Sequence, residues 1–221
     1  MLEKNPPLSL PAIIKHEMMH DIMSGKLNPG DKIIEEEYAH RLNVSRAPVR
    51  EAALMLITDG LATKIQNRGT ILRHYTIDEH IDLYHIRYFI EKLAMDRLRT
   101  KDDFTELVAK FKPLVQMLEE ERDNLRKINI LNEFCHYTLI SFADSPTFTA
   151  AYPSIYISAQ LLQYPEYAEW LTHMATHFNE HHRVITAFEQ NNLDVVDQII
   201  DLHHKDLFAL LHRIQRNCAQ T

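Results

Sequence analysis

The distribution of glycine constrains the fold of this chain more than any other feature. Only four of its 221 residues are glycine, and all four lie within the first 69. Glycine supplies the left-handed backbone of tight turns and hairpins. From about residue 76 onward the sequence therefore indicates an all-α structure, whereas the first part can hold turns and a hairpin.

Apolar residues recur at helical spacing throughout that second part. Thr76 and Glu79 form a capping box that predicts the first of its helices. The apolar stripe of this helix is Ile81, Leu83, Tyr84, Ile86, Phe89, Ile90, Leu93 and Leu98. Breaks follow near Thr100, Asp123, Ser145-Pro146, Tyr164-Pro165 and Asn191-Asn192. Pro113 is expected to kink or interrupt the second helix. The pattern predicts a bundle of six or seven helices over residues 76–221.

The first 75 residues show a different organisation. Helices are predicted for residues 10–24 and 35–42, separated by turn residues at 25–30. A third helix is expected to end at Gly60 as its C-cap. Two short strands are predicted at 61–65 and 70–73. A helix, a helix-turn-helix and a hairpin with a basic tip together form a winged helix.

The third helix begins with the sequence VSRAPVREAA, at residues 44–53. Ser45 is a suitable N-cap, and Pro48 is tolerated in a first turn because its missing amide proton is not needed there. Arg46 and Arg50 lie four residues apart and project from one helix face. They can bind phosphate or pair with a guanine in the major groove, although two arginines on a helix can also form an ordinary solvated face.

Four segments in order resemble the GntR-type bacterial regulators. They are GKLNPGDKI at 25–33, VSRAPVREA at 44–52, DGLA at 59–62 and NRGTI at 67–71. The resemblance implies DNA contacts from Ser45, Arg46, Ala47, Pro48 and Arg50 on the recognition helix and from Arg68 and Gly69 on the wing. Some members carry a DNA-contacting arginine on the first helix of the turn motif, where this chain has Glu35-Glu36-Glu37. No contact is assigned there.

Charge is unevenly divided between the two parts. Residues 1–75 have a net charge of +1 and residues 76–221 have −8. Only the first part is suited to a double-stranded DNA operator, and +1 is weak for that purpose. We therefore expect affinity to depend on local arginine placement and on two copies acting together.

Cysteine usage and hydropathy indicate the compartment. Cys135 and Cys218 form neither a disulfide framework nor a CxxC motif. The start of the chain has no apolar signal-peptide core, and no run of about 18 apolar residues occurs. We expect a cytoplasmic protein with no membrane segment.

Histidine is abundant, with 14 residues, and three lie on apolar stripes expected to be buried: His136, His181 and His203. A single histidine in such a position is usually a hydrogen-bonded core residue. Three imidazoles converging in a bundle are costly to leave unpaired, and a divalent metal satisfies them while leaving coordination positions open.

The second part also resembles the C-terminal effector domain of the FadR branch of the GntR family, called FCD. In that domain a D-x3-H pair on one helix and a histidine on each of two later helices hold a metal. The resemblance assigns these positions to Asn132, His136, His181 and His203. Asn132 replaces the usual aspartate, so the site is expected to be more cationic. The ligand set favours Zn²⁺, or Ni²⁺ or a similar ion, over Ca²⁺ or Mg²⁺.

Two alternatives concern neighbouring histidines. His182 and His204 have the same 22-residue separation as His181 and His203, but the latter pair fits the family register better. His177 lies one turn before His181. It can act as an additional metal ligand or as a hydrogen-bond partner of a metal ligand, although a half-buried position on the helix surface is the simpler expectation.

Arg87 and Glu91 reproduce an R-x3-E spacing found on the first helix of this domain type. An exposed i,i+4 pair contributes only about 0.2–0.5 kcal/mol. A buried arginine beside a metal would instead select anionic effectors, with Arg87 binding the effector. The sequence leaves both interpretations open.

The resemblance implies a homodimeric, ligand-responsive transcriptional regulator, most often a repressor, that senses a small carboxylate such as an organic or sugar acid. One alternative is a structural or absent metal with an acyl ligand in the pocket, as in the founding member of the branch. A metal-dependent hydrolase is the less favoured alternative. His20-Asp21 imitates the dipeptide of helical phosphohydrolases, but it lies on the first helix, away from the other histidines.

Overall fold

A computed structural model describes residues 8–121, 123–160, 168 and 179–219. The chain divides into two compact units, Met1–His74 and Tyr75–Thr221.

The first unit is a winged helix-turn-helix, as predicted. Its elements are α1 (Leu10–Ser24), α2 (Glu35–Leu42), α3 (Arg46–Thr58), β1 (Ala62–Ile65) and β2 (Gly69–Leu72). The first two helices have the predicted bounds, and each strand differs from its predicted range by one residue at one or both ends. The strands pair antiparallel, with Ile65 opposite Gly69 next to the turn. Helix α1 packs against α3. Residues buried in this unit include Ile14, Met18, Ile22, Val49, Leu56, Leu61 and Leu72.

The loop before α2 pairs with strand β2 through backbone hydrogen bonds. The backbone N–H of Gly30 donates to Leu72 O at 2.9 Å, and that of Ile33 donates to Thr70 O at 2.9 Å. Gly30 has a φ of 88°, and a Cβ there would lie 2.6 Å from Nε2 of His74. Glycine is therefore needed both for the backbone conformation and for the space.

The end of α3 differs slightly from the prediction. Asp59 is the C-cap, and Gly60 follows it with a φ of 77°. The predicted C-cap at Gly60 was thus wrong by one residue, because the left-handed glycine lies just beyond the cap.

The second unit is all-α, as predicted. Its described helices are α4 (Ile77–Leu98), α5 (Thr105–Glu120), α6 (Leu125–Ser141), α7 (Pro146–Gln160), α8 (Asn179–Glu189) and α9 (Leu193–Cys218). These six helices agree with the predicted six or seven; the expected break at Tyr164-Pro165 lies outside the described residues. Both bonds of the Thr76–Glu79 capping box are present. Helix α5 continues through Pro113 and is not interrupted there.

Two apolar clusters form the core of this unit. The larger one includes side chains from all six helices, such as Ala94, Phe111, Leu139, Tyr152 and Phe188 together with Val196. The smaller one joins the start of α4 to the end of α9 through Ile77, Ile81, Tyr84, Leu207, Leu210, Leu211 and Ile214. Among the described residues, no helix has the length and apolar character required to cross a bilayer.

One part of the predicted α4 stripe is wrong. Ile86 and Phe89 were placed on the buried face, but they are 49% and 65% exposed in this unit. Arg87 and Glu91 take the buried positions instead. Hydrophobicity alone does not identify the inner face here, because a charged pair buried with partners from other helices replaces apolar residues.

Candidate functional site

The N-terminal turn of α3 presents its basic residues outward. Val49, Ala52 and Ala53 are buried on the inner face, whereas the side chains of Arg46 and Arg50 are 59% and 57% exposed. This separation of faces leaves both guanidinium groups accessible to a ligand.

The other predicted DNA-contacting residues of α3 lie at its start. Ser45 is at the N-cap, and its side chain makes no capping hydrogen bond. Ser45 and Ala47 are exposed, and Pro48 is half-buried. The backbone places these residues in the same turn as Arg46.

Arg68 is exposed at the hairpin tip. Its backbone N–H donates to Ile65 O at 3.1 Å, which closes the turn. Gly69 follows with a φ of 93°, and a Cβ there would lie 3.1 Å from Cε of Lys32. The tip can therefore bring its backbone and one arginine close to a partner.

An acidic residue contacts both recognition arginines. Oε2 of Glu35, the first residue of α2, is 3.3 Å from Nε of Arg50 and 3.7 Å from Nη2 of Arg46. The acidic run at 35–37 is evident in the sequence, but its contact with these arginines was not predicted. The sequence feature that could have indicated this contact is the acidic run itself, because it lies in a region where some GntR-type regulators carry an arginine.

The dipeptide His20-Asp21 has a structural role in the first unit. Asp21 is buried and accepts hydrogen bonds from Tyr38 Oη at 2.7 Å and from Arg41 Nη2 at 2.6 Å. Burial opposes ionisation, but the bonds from Arg41 and Tyr38 outweigh it and lower the pKa of Asp21. Asp21 thus attaches α1 to α2, while His20 is exposed.

Three of the predicted metal ligands line one cavity in the second unit. His136 comes from α6, His181 from α8 and His203 from α9. The other described residues that line it are Phe111, Cys135, Leu139, Glu180, Val184, Val196, Ile199 and Ile200. The space inside, about 40 Å³, is suited to an ion with a few water molecules.

Two of the histidines in this cavity, His181 and His203, are held in their neutral form by burial. Burial lowers the pKa of His181 to about 4 and lowers that of His203 well below its ordinary value. The ring centroids of His136 and His203 are 5.2 Å apart. Nδ1 of His181 is enclosed and has no hydrogen-bond partner among the described residues. Neutral imidazoles with an available lone pair are what a transition metal requires.

The remaining candidates lie differently. Asn132 is buried one turn before His136 but is not among the residues that line the cavity. His177 lies outside the described residues. His182 is exposed and bonds to Glu119 at 2.8 Å, and His204 bonds to Glu91 at 2.9 Å. His182 is therefore engaged away from the cavity, whereas His204 meets Glu91 beside His136, and these three side chains lie close enough together to hold a metal ion.

Arg87 is fully buried and does not line the cavity. Its Nε donates to Glu91 Oε1 at 3.0 Å, and its Nη1 donates to Glu133. Nη2 is enclosed and has no hydrogen-bond partner within the described part of the chain. Tyr152 Oη donates to Glu133 Oε2 at 3.0 Å. Three helices, α4, α6 and α7, are thus joined by a buried ionic network.

Glu91 links this network to the histidines. It is fully buried, and its Oε1 is 3.0 Å from Nδ1 of His136 while its Oε2 is 2.9 Å from Nε2 of His204. Burial disfavours the charged carboxylate, but His136, His204 and Arg87 outweigh this effect and hold the pKa of Glu91 well below its usual range. Sequence reasoning identified the Arg87–Glu91 spacing but missed Glu133 and His204 as partners.

Comparison with known families and proteins agrees with these observations. A family model described as bacterial regulatory proteins, gntR family, matches residues 12–72, and the FCD domain model matches residues 82–206. The chain belongs to the GntR family. Among curated relatives, this GntR regulator is 27% identical to the Nta operon transcriptional regulator of Aminobacter aminovorans over 165 residues, which is 75% of this chain and 76% of the relative.

Two further comparisons extend this result. The regulator is 26% identical over 106 residues to the gluconate operon transcriptional repressor of Bacillus subtilis, covering 48% of this chain and 43% of that protein. It shares its fold with E. coli McbR/YncC at a TM-score of 0.78 and 17% identity, over 94% of this chain and 99% of that one. These families and relatives are DNA-binding transcriptional regulators and not enzymes.

Proposed function

We propose that this GntR regulator acts as a cytoplasmic homodimer on a two-fold operator and responds to a small carboxylate at a metal-containing site in its FCD domain. The observation that carries the proposal is the cavity lined by His136, His181 and His203, each from a different helix. We also propose that the boundary between the DNA-binding domain and the FCD domain lies between residues 75 and 76.

Operator binding is assigned to the exposed face of α3 and to the wing. Arg46 and Arg50 would read bases or phosphates in the major groove, and Arg68 with Gly69 would follow the neighbouring backbone or minor groove. Ser45, Ala47 and Pro48 would contact DNA beside Arg46. The small net charge of residues 1–75 supports the use of two copies, because one such unit offers little bulk attraction to phosphate.

The residues present fit a transition metal. His136, His181 and His203 offer imidazole nitrogens, and Nδ1 of His181 is enclosed with no partner in the described part of the chain. Three imidazoles favour Zn²⁺, or Ni²⁺ or a similar ion, and Asn132 would add at most a neutral amide oxygen. A bound metal of this kind supplies positive charge and open coordination positions to a ligand.

A small carboxylate is the effector class that fits this site. A cationic centre attracts an anion, and the open coordination positions of a bound metal would accept a carboxylate oxygen. One relative is named a gluconate operon repressor, which supports both a sugar-acid ligand and a repressor role. Arg87 is a weaker candidate for effector binding than the proposed metal, because the charge of Arg87 is already balanced by Glu91 and Glu133.

Dimerisation is assigned to the second unit. Ile86 and Phe89 form an exposed apolar pair on α4, and large exposed apolar side chains commonly mark interaction surfaces. Effector binding would then change the spacing between the DNA-binding units of the two copies. Such coupling is typically about 1–3 kcal/mol.

The proposal is tested by measuring metal content with mass spectrometry on protein purified without a histidine tag. About one metal per chain is expected, and the double variant His136→Ala/His181→Ala should lose it while remaining folded. His182→Ala is the matched control, because this exposed neighbour bonds to Glu119 outside the cavity.

Two results would contradict the proposal in different ways. If wild-type protein neither contains metal nor binds it on titration, a metal has no part in the sensing mechanism. Metal-stripped protein that unfolds would indicate a structural metal and direct the ligand search to acyl compounds.

A further inference from the structure

Glu91 holds a position that DNA binding does not explain, and its carboxylate lies close enough to His136 and His204 for the three side chains to form a group that could hold a metal ion. It is a fully buried carboxylate on α4 whose two oxygens face different histidines, His136 and His204. We infer that Glu91 is a positioning residue that keeps His136 in the Nδ1–H tautomer and so leaves the Nε2 lone pair of His136 for the histidine cavity.

The first step concerns the protons between these groups. An ionised carboxylate can only accept hydrogen bonds. The ring nitrogen that faces each oxygen must therefore carry the proton, which assigns N–H to Nδ1 of His136, at 3.0 Å, and to Nε2 of His204, at 2.9 Å. A neutral imidazole has one N–H and one bare nitrogen. In neutral His136 the bare nitrogen is Nε2.

The second step excludes Glu91 as a direct metal ligand through Oε1. Nε of Arg87 donates to this same oxygen at 3.0 Å. A divalent ion at this oxygen would lie beside a buried guanidinium, and like charges repel strongly where water is excluded. Glu91 is therefore placed to act through His136, as carboxylates behind metal-binding histidines commonly do.

The third step concerns Arg87 and Glu133, which hold Glu91 in place. Arg87 bridges the two carboxylates, and Tyr152 binds the far oxygen of Glu133.

Glu133 provides a matched control for Glu91. Both residues are buried carboxylates that bond to Arg87, and replacing either with glutamine removes one negative charge from the same network. Among the described contacts, Glu133 touches Arg87 and Tyr152, whereas Glu91 touches His136 and His204. A general structural role predicts equal effects of the two substitutions, and the positioning role does not.

The tautomer is measured directly by two-dimensional ¹H–¹⁵N NMR on full-length, metal-stripped protein labelled at histidine nitrogens, with His136 assigned from a His136→Gln variant. The expected result is an Nδ1–H tautomer for His136 in wild type and in Glu133→Gln. An Nε2–H tautomer in the wild-type protein overturns the inference without any need for a variant at Glu91.

Cobalt binding, followed by its visible absorption, tests the consequence of this arrangement. The importance of Glu91 for metal affinity rests on the proposed metal site. Glu91→Gln should weaken Co²⁺ binding by about 10- to 100-fold, while Glu133→Gln should stay close to wild type. Equal weakening in both variants would overturn the positioning role and leave the metal site intact.

The proposed metal site and the proposed role of Glu91 can be refuted independently of each other. If wild-type protein binds no Co²⁺, the metal site fails, and the tautomer measurement alone decides whether Glu91 positions His136. If His181→Asn abolishes Co²⁺ binding and Glu91→Gln does not weaken it, the metal site holds and the inference is wrong.

Discussion

Glu35 accepts a hydrogen bond from Nε of Arg50 at 3.3 Å. The same carboxylate oxygen lies 3.7 Å from Arg46, so one acidic side chain contacts both exposed arginines of α3. Any phosphate or base that binds these arginines must compete with Glu35.

The first prediction concerns this carboxylate. Glu35→Gln should tighten binding to non-specific DNA by about two- to fivefold at low salt, because an exposed ion pair contributes at most about 1 kcal/mol. The change should shrink at high salt. Fluorescence anisotropy over a salt series measures it. Glu36→Gln is the matched control, since Glu36 is exposed on the same helix. Equal effects of the two substitutions would indicate bulk charge and not the specific contact.

The second prediction concerns the recognition arginines. Each bidentate arginine–guanine pair discriminates against the wrong base by about 1–3 kcal/mol. Arg46→Ala should therefore weaken binding to an operator selected from random DNA and should relax preference at one symmetric base position. Selection repeated with the variant measures this. Unchanged affinity and unchanged preference would exclude Arg46 from base recognition.

The third prediction uses the buried Asp21. Asp21→Asn should destabilise the first unit by about 1.5–3 kcal/mol at pH 7, because charge-assisted hydrogen bonds from Tyr38 and Arg41 are lost. The pKa of Asp21 is lowered in the folded state, so the carboxylate stabilises the fold fully above its unfolded pKa of about 3.9 and progressively less as pH falls through the folded value.

Calorimetry of the full chain checks this dependence. The difference in melting temperature between wild type and Asp21→Asn should be constant near neutral pH and should narrow as the pH falls below about 4. Glu17→Gln is the control, since Glu17 is exposed on the same helix. A difference that stays the same at every pH would show that the charge of Asp21 does not contribute.

The fourth prediction compares Arg87 of α4 with Arg99, the C-cap residue of the same helix. Arg87→Met leaves the buried carboxylates of Glu91 and Glu133 without their cation, which should cost about 3–5 kcal/mol. Arg99→Met removes an arginine that is 38% exposed and pairs with Asp194 and Asp197 at the surface. That change should cost less than about 1 kcal/mol.

Urea denaturation followed by circular dichroism separates the two variants. The midpoint for Arg87→Met should fall far below that of wild type, and the midpoint for Arg99→Met should stay near it. Similar midpoints for both variants would mean that the buried network contributes no more than a surface pair.

Local sequence determined the elements of this protein. Ser9, Thr76 and Asn124 cap helices through short-range hydrogen bonds, and Gly25 ends α1 with left-handed backbone. Because these signals act within a few residues, helix positions and the winged helix-turn-helix order followed from the chain itself. The three histidines were singled out by helical periodicity, which likewise needs no distant information.

Only the tertiary structure decided which charged residues are buried and which partners they have. Glu91 meets His204 across 113 residues, and Arg87 meets Glu133 across 46. Hydropathy placed Phe89 inside and could not place Arg87 there, because the burial of a charge depends on counter-charges brought by other helices. Glu35 illustrates the same limit, since its contact with Arg50 depends on how α2 packs against α3.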